Sequence, residues 1–244
     1  MAKKKTVFFC QNCGAESARW IGRCPACGEW NTYVEEIVST KKEPGYSSLS
    51  KISPKAEKLK NVDIQLTARI ITPDNEFNRV LGGGIVPGSL VLIGGEPGIG
   101  KSTLALQIAL RLTMVKTLYV SGEESARQIR LRAERLGKPA ESETLILTET
   151  NLETILNIIH VENPGLIIVD SIQTLHSESI ESTPGSVSQV RETAAGLLRL
   201  AKETNIPVIL IGHITKDGTL AGPKILEHIV DTVLNFEGDQ HYMY

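Results

Sequence analysis

The run Gly94-Gly95-Glu96-Pro97-Gly98-Ile99-Gly100-Lys101-Ser102-Thr103 constrains this chain more than any other stretch. It fits the spacing G-x-x-x-x-G-K-[ST], with Gly95, Gly100, Lys101 and Ser102 in the required places. Ahead of it, Ser89-Leu90-Val91-Leu92-Ile93 is apolar and β-leaning. Behind it, Leu104-Ala105-Leu106-Gln107-Ile108-Ala109-Leu110 favours a helix. Strand, glycine-rich turn and helix together make a cradle for phosphate. The glycines let backbone N–H groups crowd around an anion, and the first helical turn leaves unpaired N–H groups aimed at it. In such a cradle Lys101 reaches the β- and γ-phosphates, Ser102 ligates Mg²⁺ and Thr103 donates to the α-phosphate.

The rest of the composition suits a fold of that kind. The chain has 244 residues, enough for one large α/β domain and a small appendage. Hydrophobic content of 41% and charged content of 22% are those of a soluble globular protein. A net charge of −2 argues against a surface-wide basic footprint for nucleic acid, so any such contact must come from a local basic loop. No apolar run approaches the roughly 18 residues of a membrane helix. Met1-Ala2-Lys3-Lys4-Lys5-Thr6 is basic, but no signal-type apolar core follows it. A cytoplasmic protein without a membrane partner is expected.

All four cysteines fall within the first 27 residues. Cys10-Gln11-Asn12-Cys13-Gly14 and Cys24-Pro25-Ala26-Cys27-Gly28 form two C-x-x-C-G knuckles, which suit tetrahedral Zn²⁺. Two disulfides, free thiols or an iron site are the competing readings. Four thiolates leave no open ligand position, so the expected role is structural. The segment is too short for a core of its own, and metal binding must drive its folding. Arg19, Trp20, Arg23 and Trp30 either contact a partner or simply cover the site. The finger is expected over 1–37, a polar lysine-containing linker over 38–61 and a P-loop domain over 62–244.

Within that domain the pattern predicts a strand over 64–71, a short helix at 77–81 and strands at 117–120 and 145–147. It predicts helices over 125–136, with Gly137 as stop, and through Leu152, Ile155, Leu156 and Ile159. A mobile loop is expected over 176–188, a helix over 190–203, a strand over 207–211, a short helix at 226–230 and a last strand at 232–236. Arg127, Arg130, Arg132 and Arg135 crowd one helix, a face that usually serves solubility or a subunit contact.

Leu166-Ile167-Ile168-Val169-Asp170 reads as a buried central strand of a parallel sheet whose terminal acid emerges at the carboxyl end, where such sheets bind ligands. Asp170 is the candidate for the Mg²⁺ contact. Glu123 and Glu124 end a strand expected beside the phosphate-loop strand, where a carboxylate can polarise water. Glu123 is favoured, and Glu124 also reads as a helix N-terminal acid. His213, after the 207–211 strand, is either a γ-phosphate sensor or a satisfied polar residue at a strand end.

These motifs resemble those of the bacterial RadA (Sms) family, RecA-related ATPases of recombination and repair. The resemblance runs through the finger from Cys10 to Thr32, then Arg79-Val80-Leu81-Gly82-Gly83-Gly84 and the phosphate loop. It continues through Tyr119-Val120-Ser121-Gly122-Glu123-Glu124-Ser125, Val169-Asp170-Ser171-Ile172-Gln173-Thr174 and Gly212-His213-Ile214-Thr215-Lys216. It implies a RecA-like core with a mostly parallel sheet flanked by helices, plus a zinc-ribbon-like finger. It also implies ATP hydrolysis and a hexameric ring that binds single-stranded and branched DNA and promotes branch migration, with a RecA-type recombinase as partner. Loops after Leu175 and Lys216 would face the DNA, with Lys216, Lys224, Gly218 and Gly222 on phosphates. The family carries a Lys-Asn-Arg-Phe-Gly motif and a Lon-protease-like domain beyond this core, and the sequence stops at Tyr244 before either. The alternative is a KaiC-like regulatory ATPase acting on proteins, a pattern that lacks the finger.

Overall fold

The computed structural model describes residues 4–39, 58, 68–137, 142–213 and 226–238. Most of the linker, and Lys216, Gly218, Gly222 and Lys224, lie outside the described residues, as does the first half of the strand expected over 64–71; its described half, 68–71, is not a strand. At its described end, Ile70 forms a single antiparallel bridge with Ile85.

The cysteine-bearing segment is a three-stranded antiparallel sheet of β1 (Lys4–Cys10), β2 (Glu16–Ser17) and β3 (Tyr33–Ser39), in the order β2-β1-β3. The larger unit contains α1 (Asn75–Val80), β4 (Leu90–Gly95), α2 (Lys101–Arg111), β5 (Thr117–Ser121) and α3 (Ala126–Leu136). It continues with β6 (Thr144–Leu147), α4 (Leu152–Glu162), β7 (Leu166–Asp170), α5 (Val187–Thr204), β8 (Val208–Ile211) and β9 (Thr232–Phe236). Its six strands are parallel, in the order β6-β5-β7-β8-β4-β9.

Because strand side chains alternate, each central strand feeds two cores. Leu90, Leu92, Ile167, Val169, Val208 and Leu210 pack with α4 and α5 on one face. Val91, Ile93, Ile168, Ile209 and Ile211 pack with α1, α2 and α3 on the other. With both faces covered, the strands are apolar throughout, which is why they read as unbroken aliphatic runs.

Helix starts follow local chemistry. Asp74, Asn151 and Ser186 cap α1, α4 and α5, and Ser125 with Gln128 makes a reciprocal capping box on α3. Among the described α-helices, α2 has no side-chain cap. Gly100 precedes it at φ 113, a conformation that L side chains rarely adopt. Its free N–H groups are thus left for a ligand.

Several expectations change. β5 does not lie beside β4: β7 and β8 intervene. The helix expected at 226–230 is a pair of hydrogen-bonded turns, in which the Ile229 and Val230 N–H groups share the Leu226 carbonyl. α5 begins at Val187, ahead of the expected 190, because Ser186 caps it. The loop expected to be mobile is tied down by buried Gln189. Gln189 accepts from the Ser177 N–H and donates towards the carbonyls of Ser177, Ile180 and Ser182. No described helix is long and apolar enough to cross a membrane.

Candidate nucleotide site and metal centre

Register brings the strand ends to one level. Ser121 pairs with Asp170, Asp170 with Ile211, and Ile211 with Ile93, so the turns that follow β4, β5, β7 and β8 open along one edge of the sheet. In the phosphate loop Glu96, Pro97 and Gly98 are exposed, and Ile99 and Gly100 are half-buried. Lys101 is 3% exposed. Its ammonium donates to the carbonyl oxygens of Gly95 at 2.7 Å and Glu96 at 2.8 Å. Burial lowers its pKa below the usual lysine value, and the nearby Asp170 and Glu123 carboxylates pull it partly back. Ser102 and Thr103 occupy the first turn of α2, with Thr103 exposed.

Asp170 is also buried, at the end of β7. Its Oδ1 accepts from the Ser102 hydroxyl at 3.0 Å, and its Oδ2 accepts from the Tyr119 hydroxyl at 2.6 Å. The hydroxyl of a serine at the helix start and a carboxylate at a neighbouring strand end form the oxygen pair that a hard, hydrated divalent cation takes.

Beyond β5 the chain passes close over β7, where the Gly122 N–H donates to the Asp170 carbonyl at 3.1 Å. A Cβ on Gly122 would overlap the Thr174 hydroxyl, so only glycine permits the crossing. The crossing brings Glu123 over Ser171, whose hydroxyl donates to Glu123 Oε1 at 2.5 Å. His213 Nε2 lies 3.2 Å from the same oxygen. Glu123, Asp170, Ser102, Lys101 and His213 therefore border one space. Glu124 turns the other way, against the Arg132 guanidinium at 3.1 Å.

Tyr119, Ser171 and Arg132 were not singled out for this site by the sequence patterns. The available signal for Arg132 was its phase: it shares the helical stripe of Ile129, Ala133 and Leu136, whereas Arg130 pairs with Glu134 in solvent. For Tyr119 the signal was a hydroxyl at a fully buried strand position.

The four thiol sulfurs lie within 4.8 Å of one another. Cys10 to Cys27 is 3.7 Å and Cys13 to Cys24 is 3.5 Å. A tetrahedron with metal–sulfur bonds of about 2.3 Å has edges of about 3.8 Å, whereas a disulfide needs about 2.0 Å, so the spacing suits a shared ion. Thr32 Oγ1 sits 3.1 Å from Cys10 Sγ and the Tyr33 hydroxyl 3.6 Å from Cys24 Sγ, which lets both hydroxyls donate to thiolates. Burial pushes the Cys24 thiol up, but the backbone of Cys27, the Tyr33 hydroxyl and the backbone of Ala26 outweigh it and bring the pKa down to about 6. Trp20 and Trp30 do not cover the cluster: they are 53% and 66% exposed, and Phe8, Ile21 and Tyr33 pack on the sulfurs instead. The Arg23 guanidinium stands 5.7 Å from the Trp30 ring centre.

A family profile described as an AAA domain matches residues 53–219. The chain belongs to the AAA-domain family. A second profile, described as a rubredoxin metal binding domain, matches residues 8–35, which hold the four cysteines of a zinc-ribbon-type cluster. A DNA repair protein RadA of Halalkalibacterium halodurans is 50% identical over all of this AAA-domain chain and 54% of its own length. The chain thus spans about half the length of the curated relatives it matches. The RadB recombinase structure is 27% identical at a TM-score of 0.52, covering 68% of this chain and 81% of that one. A KaiC-like protein of Pyrococcus horikoshii superposes at a TM-score of 0.56 with 22% identity, over 71% of this chain and 83% of that one, a likeness of fold alone. The AAA-domain core is therefore a RecA-like, mostly parallel α/β unit that carries a four-cysteine ribbon.

Proposed function

We propose that the chain is the ATP-hydrolysing core of a DNA recombination and repair motor, and that its ribbon holds Zn²⁺ through Cys10, Cys13, Cys24 and Cys27. The observation that carries this reading is the convergence of Lys101, Ser102, Asp170 and Glu123 at one sheet edge, in front of a helix N-terminus that no side chain caps. The phosphates of ATP would lie against residues 95–103, where Lys101 would exchange two backbone carbonyls for phosphate oxygens. Ser102 and Asp170 would hold Mg²⁺, which when bound offsets charge on the β- and γ-phosphates. Glu123 accepts a proton from the water that attacks the γ-phosphorus as the β–γ bridging bond breaks. Ser171 keeps that carboxylate over the end of β7. His213 shares its oxygen, so loss of the γ-phosphate would be felt at the start of the segment after β8.

The DNA side of the proposal is supported by the RadA names of relatives about 50% identical along the whole chain. With that kinship in support, the proposal extends to single-stranded and branched DNA as ligands, branch migration, a hexameric ring, a RecA-type partner and a cytoplasmic setting. Steady-state ATP hydrolysis with and without single-stranded DNA tests the reading. A stimulated rate supports it, and a rate indifferent to DNA but raised by a protein partner would favour the KaiC-like alternative.

A further inference from the structure

The residues that hold Asp170 have no part in the scheme above. Tyr119 is fully buried, and its hydroxyl donates to Asp170 Oδ2 at 2.6 Å. The same oxygen atom of Tyr119 accepts from Arg132 Nη2 at 3.3 Å. That guanidinium nitrogen is also 3.9 Å from Asp170 Oδ2, and the Arg132 side chain is only 14% exposed. Glu124 pairs with the same guanidinium: its Oε1 accepts from Nη1 at 3.2 Å, and its Oε2 lies 3.1 Å from Nη2 as an ion pair. The result is a directed relay in which Arg132 donates to Tyr119 and Tyr119 donates to Asp170, while Glu124 accepts from the same guanidinium. Each donor in such a chain is polarised by the one behind it. Because Oδ2 is occupied from behind, Oδ1 is the oxygen turned to Ser102. A carboxylate without the rear contact is free to rotate about its terminal torsion, which has broad minima.

We propose that Arg132, acting through Tyr119, is a positioning residue that locks the Asp170 carboxylate with Oδ1 facing the metal position, and that Glu124 anchors Arg132 instead of polarising water. This inference rests on the reading of Ser102 and Asp170 as the Mg²⁺ holders. Neither Tyr119 nor Arg132 touches nucleotide in this scheme. Their effect is confined to the metal-dependent share of nucleotide affinity.

The test is the affinity of the full chain for a non-hydrolysable fluorescent ATP analogue, measured in EDTA and in saturating Mg²⁺. In the parent, Mg²⁺ strengthens binding. In Tyr119→Phe, which removes only the hydroxyl, the strengthening shrinks roughly tenfold, as expected for one lost hydrogen bond to a charged acceptor, while affinity in EDTA is unchanged. Arg132→Met behaves likewise, and Arg132→Lys recovers part of the effect. Because the two groups act in series, the double variant Tyr119→Phe/Arg132→Met is no worse than either single one. If a single variant keeps the full metal-dependent gain, or if the two losses multiply in the double variant, the inference is overturned. A merely structural role would lower the melting temperature and weaken binding equally in EDTA and Mg²⁺. If the parent gains nothing from Mg²⁺, or Ser102→Ala leaves the gain intact, the underlying metal assignment has failed instead.

Discussion

Ser102 Oγ and Asp170 Oδ1 lie 3.0 Å apart although 68 residues separate them along the chain. One stands at the start of α2 and the other at the end of β7, with β8 between β7 and the strand that feeds the phosphate loop. A parallel sheet with strand ends in register is what lets a helix start and a strand end two positions away meet, because those ends lie at one level.

Lys101→Ala is expected to lower ATP turnover by about 10²-fold or more, since it removes a preorganised positive charge from the phosphate site. Thermal stability should not fall. The ammonium is buried and its pKa is depressed by desolvation, so its removal relieves a cost in the empty cradle. Phosphate release and a melting curve on the same preparation check both halves. Unchanged turnover would refute the assignment of the cradle.

Glu123→Gln should retain nucleotide binding while hydrolysis drops by about 10²- to 10⁴-fold. Glutamine keeps the shape and still accepts from Ser171, but cannot take a proton from water. Equal losses in Glu123→Gln and Glu124→Gln, with binding intact in both, would contradict the division of roles between the two acids.

Cys24→Ser should cost the ribbon its metal, and binding free energies of about 10–16 kcal/mol for structural zinc imply that the small sheet unfolds with it. The AAA-domain core, with its own two cores on either side of the sheet, should melt as before. Metal analysis and differential scanning calorimetry are the measurements. One equivalent of zinc still bound would count against the four-ligand site.

Gln189→Leu leaves the Ser177 N–H and three carbonyls without their shared partner. We expect a loss of about 1–3 kcal/mol in urea unfolding, the cost of stranding buried polar groups, and faster proteolytic cleavage within 177–186. Cleavage at the parent rate would show that the loop is held by other contacts.

Much of this architecture was legible in the residue order. The aliphatic runs of β4, β7 and β8 announced strands buried on two faces, and Ser125 with Gly137 bounded α3 at both ends. The helix expected at 226–230 appears as turns, and β9 begins at Thr232, so on that side no further helical turn offsets the cost of nucleation. The anchor of the 176–188 loop, Gln189, sits outside the polar stretch, within α5, where the composition of the loop does not point to it.

The sequence by itself determined the elements, the cradle and the four thiols, because each is written in spacings of a few residues: a strand alternates every two, a helix every 3.6, and a knuckle closes within four. Only the tertiary structure decided strand order, and with it that Glu123 must cross β7 to reach the site while Glu124 and Arg132 turn inward behind Asp170. Those choices depend on which distant surfaces pack together, and neighbouring residues carry no information about a partner 50 to 70 positions away.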